Sequence, residues 1–228
     1  MPMMIWKKWC IVALIALASL LWATAVGAEP VLPGETEPEI SIVIHPLQNR
    51  LTLYMNGQPF KIYSIALGKP DTPTPVGEWK VENKHVNWGS GFGTRWIGLN
   101  VPWGIYGIHG TNRPGSIGRD ASHGCVRMLN RQVEELYRLV KIGTPVTIIG
   151  HVLGEPYQDA PKLAKGDSGA AVQAVQFRLR SAGFFQGTCN GRFGEQTELA
   201  LKAFERANGW QVDGVVGKRE YIALGLLE

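Results

Sequence analysis

The chain has 228 residues, of which 45% are hydrophobic and 18% are charged. This composition is typical of a globular protein, and the length allows one medium-sized domain with a second, small one. The formal net charge of +4 falls to +2 without Lys7 and Lys8, which lie in a segment predicted to be removed. A net charge this small, carried by residues scattered along the chain, argues against a nucleic-acid partner.

Residues 1–28 have the three parts of a secretory signal peptide. Lys7 and Lys8 precede an apolar run, and small residues at 26–28 end the segment. An uncleaved membrane anchor is the alternative, but the apolar stretch over 11–26 is short for the roughly 20 residues that a span requires. Cys10 lies before the apolar run, which argues against a lipoprotein anchor. We therefore expect an exported protein.

A linker rich in glutamate and proline is predicted over residues 29–39, followed by a mainly β domain over 40–150. Many short apolar runs separated by Gly and Pro indicate a closed or sandwich-like β domain. The Asn56-Gly57 dipeptide between two alternating runs predicts a hairpin. The predicted strands are Ile40–Ile44, Arg50–Met55, Phe60–Leu67, Gly77–Glu82, Trp96–Leu99, Ile105–His109 and Pro145–Ile149, and the one predicted helix is Asn130–Val140.

After a second linker over residues 151–161, the pattern becomes helical. Apolar residues recur at helical spacing in 168–181 and 195–207, and 218–226 is the candidate for a third helix. An Asx-Gly-x-x-Gly turn precedes the second helix and another precedes the third, as a turn that leads into a helix N-cap would. The sequence thus predicts a small three-helix domain over residues 162–228.

Cys125 and Cys189 are the two cysteines outside the predicted signal peptide. Such a pair in an exported protein ordinarily indicates a disulfide. Cys125, however, follows His-Gly and precedes Val-Arg, which is typical of a nucleophile beside a base and a cation. Cys189 has no base nearby and is expected to be inert. Zinc would require more cysteines or more closely spaced histidines than His109 and His123 provide, so we expect no metal and no cofactor.

Two histidines are candidates to take the proton of the Cys125 thiol. His123 is close in sequence, but a separation of two residues on an extended strand does not aim its side chain at the sulfur. His109 lies sixteen residues upstream, at the end of a predicted strand that could pair beside Cys125. The Gly110 carbonyl would then orient the imidazole. We predict His109 as the base and leave His123 open between an active-site role and a structural one.

Three further residues complete the predicted site. Gly124 has no side chain, so backbone N–H groups near it can approach a developing oxyanion. Arg127 lies two residues beyond Cys125 on the same strand face and is predicted to hold a substrate carboxylate. Asn112 is predicted to hydrogen-bond a substrate amide. The residues alone therefore predict Cys/His acyl transfer with an anionic substrate.

The Ser-His-Gly-Cys-Val-Arg motif, with His-Gly upstream, resembles the L,D-transpeptidase catalytic domain (the YkuD-like family) of bacterial cell walls. The Thr-Pro-Val-Gly element within residues 68–79 also resembles that family, so the resemblance covers about residues 40–149. It implies a β-sandwich-like domain with the cysteine in a groove. The residues assigned to the site are Cys125, His109, Gly110, His123 and Gly124 as catalytic groups and Arg127, Asn112 and Ser122 as substrate-binding groups.

The tail resembles the peptidoglycan-binding domain 1 family, on Asn190-Gly-Arg-Phe-Gly and Asp213-Gly-Val-Val-Gly among other elements. It departs from that family where Glu205 replaces the usual Gln and where the closing Thr is absent after Gly217. The resemblance implies binding to peptidoglycan, while a tail that only packs on the catalytic domain is the alternative.

The two resemblances imply a Cys125 thioester with a donor stem peptide, release of D-alanine and formation of a 3→3 cross-link. Water as the acceptor would make the enzyme an L,D-carboxypeptidase. A sortase-like enzyme and an inactive wall-binding protein are also considered, although Arg127 follows Cys125 sooner than in sortases. The expected partners are peptidoglycan stem peptides and glycan at the cell wall, with carbapenem β-lactams as covalent inhibitors. The protein is expected to be a monomer.

Overall fold

We describe the fold from a computed structural model, which describes residues 37–153 and 159–228. The predicted signal peptide, most of the first predicted linker and part of the second lie outside these ranges, so those predictions remain predictions. No helix within the described ranges is long and apolar enough to cross a membrane.

The described residues before 150 are mainly β, as predicted. The strands are β1 Ile40–His45, β2 Arg50–Met55, β3 Gln58–Ser64, β4 Leu67–Gly68, β5 Gly77–Val86, β6 Arg95–Leu99, β7 Tyr106–Thr111, β8 Asp120–Ser122, β9 Val126–Leu129 and β10 Pro145–Ile148. Eight of them form one mixed sheet in the order β3-β2-β1-β10-β5-β6-β7-β9, and β4 pairs with β8. The sandwich form of this domain stays a prediction.

Four α-helices lie in the described residues. They are α1 Asn130–Leu139, α2 Ala170–Ser181, α3 Glu195–Ala207 and α4 Lys218–Ala223. The first follows β9 directly and buries Val133 and Leu136 in the core of the β domain. The other three share a second hydrophobic core, with Val172, Leu201 and Tyr221 fully buried. Apolar residues at helical spacing therefore marked α1, α2 and α3, and α4 lies within the candidate segment 218–226. No predicted end differs from the observed one by more than three residues.

The hairpin predicted at Asn56-Gly57 is confirmed. Both residues have positive φ, 52° and 74°, which is the conformation of a tight hairpin turn between β2 and β3. The predicted strand over 60–67 is instead divided, because Ala66 exchanges backbone hydrogen bonds with Arg127 and leaves the β2 ladder. This diversion brings β4 to β8, just before the Cys125 turn.

The strands β8 and β9 were not predicted. Each is short, with three and four residues, so neither shows a clear alternation in sequence. Their identity depends on their partners, since β9 pairs in parallel with β7 and β8 pairs with the two-residue β4. The parallel pairing of β7 with β9 is the feature of the fold that positions the candidate site.

Candidate active site

His109, Cys125 and Arg127 meet on one face of the β7–β9 pair. His109 on β7 is in register with Arg127 on β9. Cys125 lies two residues before Arg127, so its side chain lies on the same face, beside Gly107 of β7. The Gly107 backbone N–H donates to the Cys125 side chain, and Sγ lies 3.9 Å from the Ile105 carbonyl oxygen. The parallel pairing of β7 with β9 thus brings these three side chains to one place.

The His109 imidazole is oriented by the backbone of the next residue. Nδ1 lies 2.6 Å from the Gly110 carbonyl oxygen. Because a carbonyl oxygen can only accept, Nδ1 carries the proton and Nε2 of the neutral ring keeps its lone pair. This is the tautomer that a general base requires.

His109 is buried against aromatic rings. Its ring centroid lies 5.0 Å from that of Phe92, edge to face, and 5.8 Å from that of Trp96, nearly parallel. Burial lowers the pKa of His109 to about 4, although hydrogen bonding to the backbone of Gly110 and Phe92 acts in the opposite direction. The positive charge of Arg127 lowers this pKa further. His109 is therefore a neutral imidazole at the pH of most extracellular media.

The Cys125 thiol is also neutral at rest. Burial raises its pKa, and the Gly107 N–H and the Arg127 charge offset only part of that effect. The sequence had indicated a thiolate formed beside an imidazole, whereas desolvation in the folded protein disfavours both charged forms. If Cys125 acts as a nucleophile, its proton would therefore leave sulfur during the attack rather than before it.

Ser122 holds the turn that carries Cys125. Its hydroxyl accepts from the Gly124 N–H at 3.0 Å and donates to the Cys125 carbonyl oxygen at 2.5 Å. Gly124 has a φ of 106°, and a Cβ there would lie 2.6 Å from Tyr106 Cε1. Glycine is thus required at position 124, but its N–H is bonded to Ser122 and does not face a substrate as a free donor.

The Thr-Pro-Val-Gly segment packs on the same turn. Thr72 donates through its hydroxyl to the Ser122 carbonyl oxygen at 3.3 Å, and the Thr74 hydroxyl accepts from the Gly68 N–H at 2.9 Å. The Pro73 carbonyl oxygen would lie 3.2 Å from a Cβ at Gly124. This segment therefore supports the Cys125 turn.

Two sequence-predicted residues lie at the margin of the site. Asn112 is exposed, and its amide donates to the Ser90 carbonyl oxygen at 3.0 Å, which joins the loop after β7 to the loop after β5. The side chain of His123 is exposed. The structure thus gives Asn112 a loop-to-loop contact.

Comparison with known proteins gives the same family for this arrangement. Residues 39–148 match the family model of the L,D-transpeptidase catalytic domain, YkuD. The chain is 42% identical over 133 residues to the L,D-transpeptidase YkuD of Bacillus subtilis (strain 168), covering 57% of this chain and 80% of that protein. The chain belongs to the YkuD-like L,D-transpeptidase family.

Further relatives and a second domain family also match. YqjB of B. subtilis (strain 168), another L,D-transpeptidase by name, is 35% identical over 151 residues, which is 60% of this chain and 82% of that protein. The NMR structure of the E. faecium L,D-transpeptidase catalytic domain is 27% identical, with a TM-score of 0.43, and covers 51% of this chain and all of that domain (100%). Residues 168–224 match the model of a peptidoglycan binding domain.

The YkuD-like domain contains site residues that sequence reasoning missed. Asn130, the first residue of α1, accepts through Oδ1 from the Thr94 N–H at 3.2 Å. A Cβ at either Gly93 or Gly110 would lie 2.2 Å from that oxygen. Asn130 thus holds the loop of Phe92 against the carbonyl that orients His109. The Gly-rich aromatic run over 88–93 was a usable signal for this loop, whereas nothing in the sequence indicated Asn130.

Proposed function

We propose that this protein is an L,D-transpeptidase that forms 3→3 cross-links between peptidoglycan stem peptides through a Cys125 thioester. The observation that carries the proposal is the tautomer of His109, whose Nδ1 is bonded to the Gly110 carbonyl oxygen. It leaves a basic nitrogen on the same face of the β7–β9 pair as the half-buried thiol of Cys125. Membership of the YkuD-like family supports peptidoglycan stem peptides as the class of substrate.

The two half-reactions need one nucleophile and one base. As Sγ attacks the carbonyl carbon of the L-centre residue in the donor stem, Nε2 of His109 takes the thiol proton. Collapse of the tetrahedral intermediate breaks the C–N bond, and the D-alanine nitrogen leaves with that proton. An amine of a second stem then attacks the thioester, the C–S bond breaks, and the amine proton returns through His109 to sulfur.

Arg127 supports a substrate with a negative charge. Its guanidinium lowers the pKa of both His109 and Cys125, so its positive charge reaches both groups. A fixed cation beside the nucleophile favours the stem's terminal carboxylate and the anionic tetrahedral intermediate over a neutral peptide. We propose that Arg127 binds that carboxylate until D-alanine leaves.

Mass spectrometry of purified tetrapeptide stems incubated with the protein tests this function. D-alanine and a 3→3 dimer are expected with the wild-type chain, and hydrolysis without dimer would instead assign an L,D-carboxypeptidase. Cys125→Ala should abolish both products, while Cys189→Ala, which removes the other free thiol of the described ranges, should keep them. Absence of D-alanine release by the wild-type chain would overturn the proposal.

We further propose that the chain is exported, loses residues 1–28 and works as a monomer at the cell wall, where the tail binds peptidoglycan. Carbapenems are proposed to acylate Cys125, which intact-mass measurement of the inhibited wild-type and Cys125→Ala proteins would detect.

Co-sedimentation with purified sacculi tests whether the tail binds peptidoglycan. Cys125→Ala should still sediment, and loss of sedimentation on deletion of residues 162–228 would assign binding to the tail.

A further inference from the structure

The peptidoglycan-binding tail contacts the loop that leads into the active-site strand β7. The Arg192 Nε–H donates to the Pro102 carbonyl oxygen at 3.4 Å. A Cβ on Gly191 would lie 2.3 Å from Cε3 of Trp103, so only glycine lets the tail approach this ring so closely. Ala170 at the start of α2 also packs against the core of the β domain. Each of these contacts joins a residue in the range that matches one family to residues in the range that matches the other.

Trp103 connects this contact to the Cys125 turn. Its indole interacts with the Tyr106 hydroxyl, and its ring meets Trp79 edge to face, with centroids 5.2 Å apart. The Tyr106 ring lies between two glycines, since a Cβ would lie 2.7 Å from it at Gly104 and 2.6 Å from it at Gly124. Tyr106 is therefore held at one end by Trp103 and packs with its ring edge against the residue before the nucleophile.

We propose that the tail positions the active-site turn through the contact of Gly191 with Trp103, an inference that rests on the transpeptidase function proposed above. Trp103 and Tyr106 are positioning residues in this proposal, and neither takes part in the chemistry. The tail then has two roles, because it binds the wall and also sets the geometry in which Cys125 meets its substrate. Seating of the tail against Pro102 and Trp103 raises the rate of acyl transfer.

A matched pair of glycine variants in the full chain tests this. Gly191→Ala places a methyl group against Trp103, while Gly209→Ala introduces the same methyl at a similar φ, 70° against 65°, where nothing lies within 4 Å. On a free tetrapeptide stem, which carries no glycan for the tail to bind, Gly191→Ala should lower kcat about tenfold and leave KM within about twofold. Gly209→Ala should match the wild type. Equal kcat in the two variants would overturn the proposal.

A second variant separates positioning from misfolding of the tail. Trp103→Phe keeps an aromatic ring but removes the indole that interacts with the Tyr106 hydroxyl, and it should lower kcat while co-sedimentation with sacculi is unchanged. Alkylation of Cys125 by iodoacetamide, followed by peptide mass spectrometry, needs no transpeptidase activity. It should slow in Gly191→Ala and Trp103→Phe but not in Gly209→Ala. If the wild type makes no product yet alkylation follows this order, the proposed function fails and the contact stands.

Discussion

The Ser122 hydroxyl joins the Gly124 N–H to the Cys125 carbonyl oxygen, with hydrogen bonds of 3.0 and 2.5 Å. Ser122 is 1% exposed, so both bonds are shielded from water. The backbone on either side of the nucleophile's N–H is therefore held by one side chain. Ser122 thus acts as a brace for the Cys125 turn, a different role from the substrate binding assigned to it from sequence.

Ser122→Ala should lose both hydrogen bonds and leave the Gly124 N–H buried without its partner. We expect a loss of about 1–3 kcal/mol in the free energy of unfolding and a fall of at least about tenfold in kcat. Urea denaturation and the D-alanine assay measure the two effects. Ser116→Ala is the matched control, because its hydroxyl donates to the Arg113 carbonyl oxygen at 2.8 Å, outside the site. A wild-type kcat in Ser122→Ala would contradict the bracing role.

Because His109 is buried, the free energy of unfolding and kcat/KM should depend on pH at values below the ordinary pKa of histidine. Its pKa falls from 6.5 to about 4 in the folded chain, mainly through burial. Between those values the unfolded chain binds more protons than the folded chain. The contribution of the neutral His109 to the free energy of unfolding is therefore complete above pH 6.5 and is lost as the pH falls towards 4. The loss amounts to about 3 kcal/mol. kcat/KM should stay high at pH 5 and fall near pH 4.

Substitution of His109 identifies the source of that pH dependence. His109→Gln should remove the loss of stability between pH 6.5 and 4 together with the activity. His151→Gln, at an exposed position, should change neither. Denaturation curves at several pH values measure how the free energy of unfolding changes with pH. An acid limb of kcat/KM centred near 6.5 in the wild type would show that His109 is solvated rather than buried.

Asn130 is expected to control the environment of His109 from a distance. Asn130→Ala removes the acceptor of the Thr94 N–H and frees the loop that presses Phe92 against the imidazole. Water would then reach His109, so the acid limb of kcat/KM should move up from about 4 towards 6.5 and kcat should fall. Asn100→Ala breaks a similar bond, from the Lys80 N–H at 2.7 Å, and should leave the pH profile unchanged. An unshifted profile in Asn130→Ala would argue against this role.

Glu205 provides a pH dependence of the opposite sign in the tail. It is fully buried, and its carboxylate oxygens accept from the Gly214 N–H at 3.2 and 3.1 Å. Burial raises its pKa, with the nearby Asp213 and Glu220 adding to the effect. Because the folded state holds the Glu205 proton more tightly than the unfolded state, the protonated carboxyl stabilises the fold at low pH. This stabilisation is lost as the pH rises through the pKa of Glu205 in the folded chain.

Glu205→Gln should therefore stabilise the tail at neutral pH and flatten its dependence on pH. The amide keeps an acceptor for the Gly214 N–H without a buried charge. Thermal unfolding between pH 4 and 8 measures this, and a rise in Tm at pH 7.5 but not at pH 4.5 is expected. Glu195→Gln, which removes an exposed carboxylate from the start of α3, serves as the control. A lower Tm at pH 7.5 would show that the ionised Glu205 is stabilising.

Local patterns were enough for much of this protein. Asn-Gly between alternating runs predicted the β2–β3 hairpin, and apolar spacing predicted the helices α1 to α3, because turns and helices form from neighbours in sequence. The order His, Gly, Cys, Val, Arg likewise marked Cys125 as the candidate nucleophile. Each of these features is decided by residues within a few positions of one another.

The tertiary structure decided how the candidate active site is assembled and which protonation states its side chains have. The parallel pairing of β7 with β9 joins residues that are distant in sequence. The burial of His109 depends on Phe92 and Trp96, which pack against its ring. Desolvation makes both Cys125 and His109 neutral, and it is a property of the packed environment rather than of either residue. The sequence by itself determined which side chains are the candidates for the chemistry, and only the packing decided their protonation.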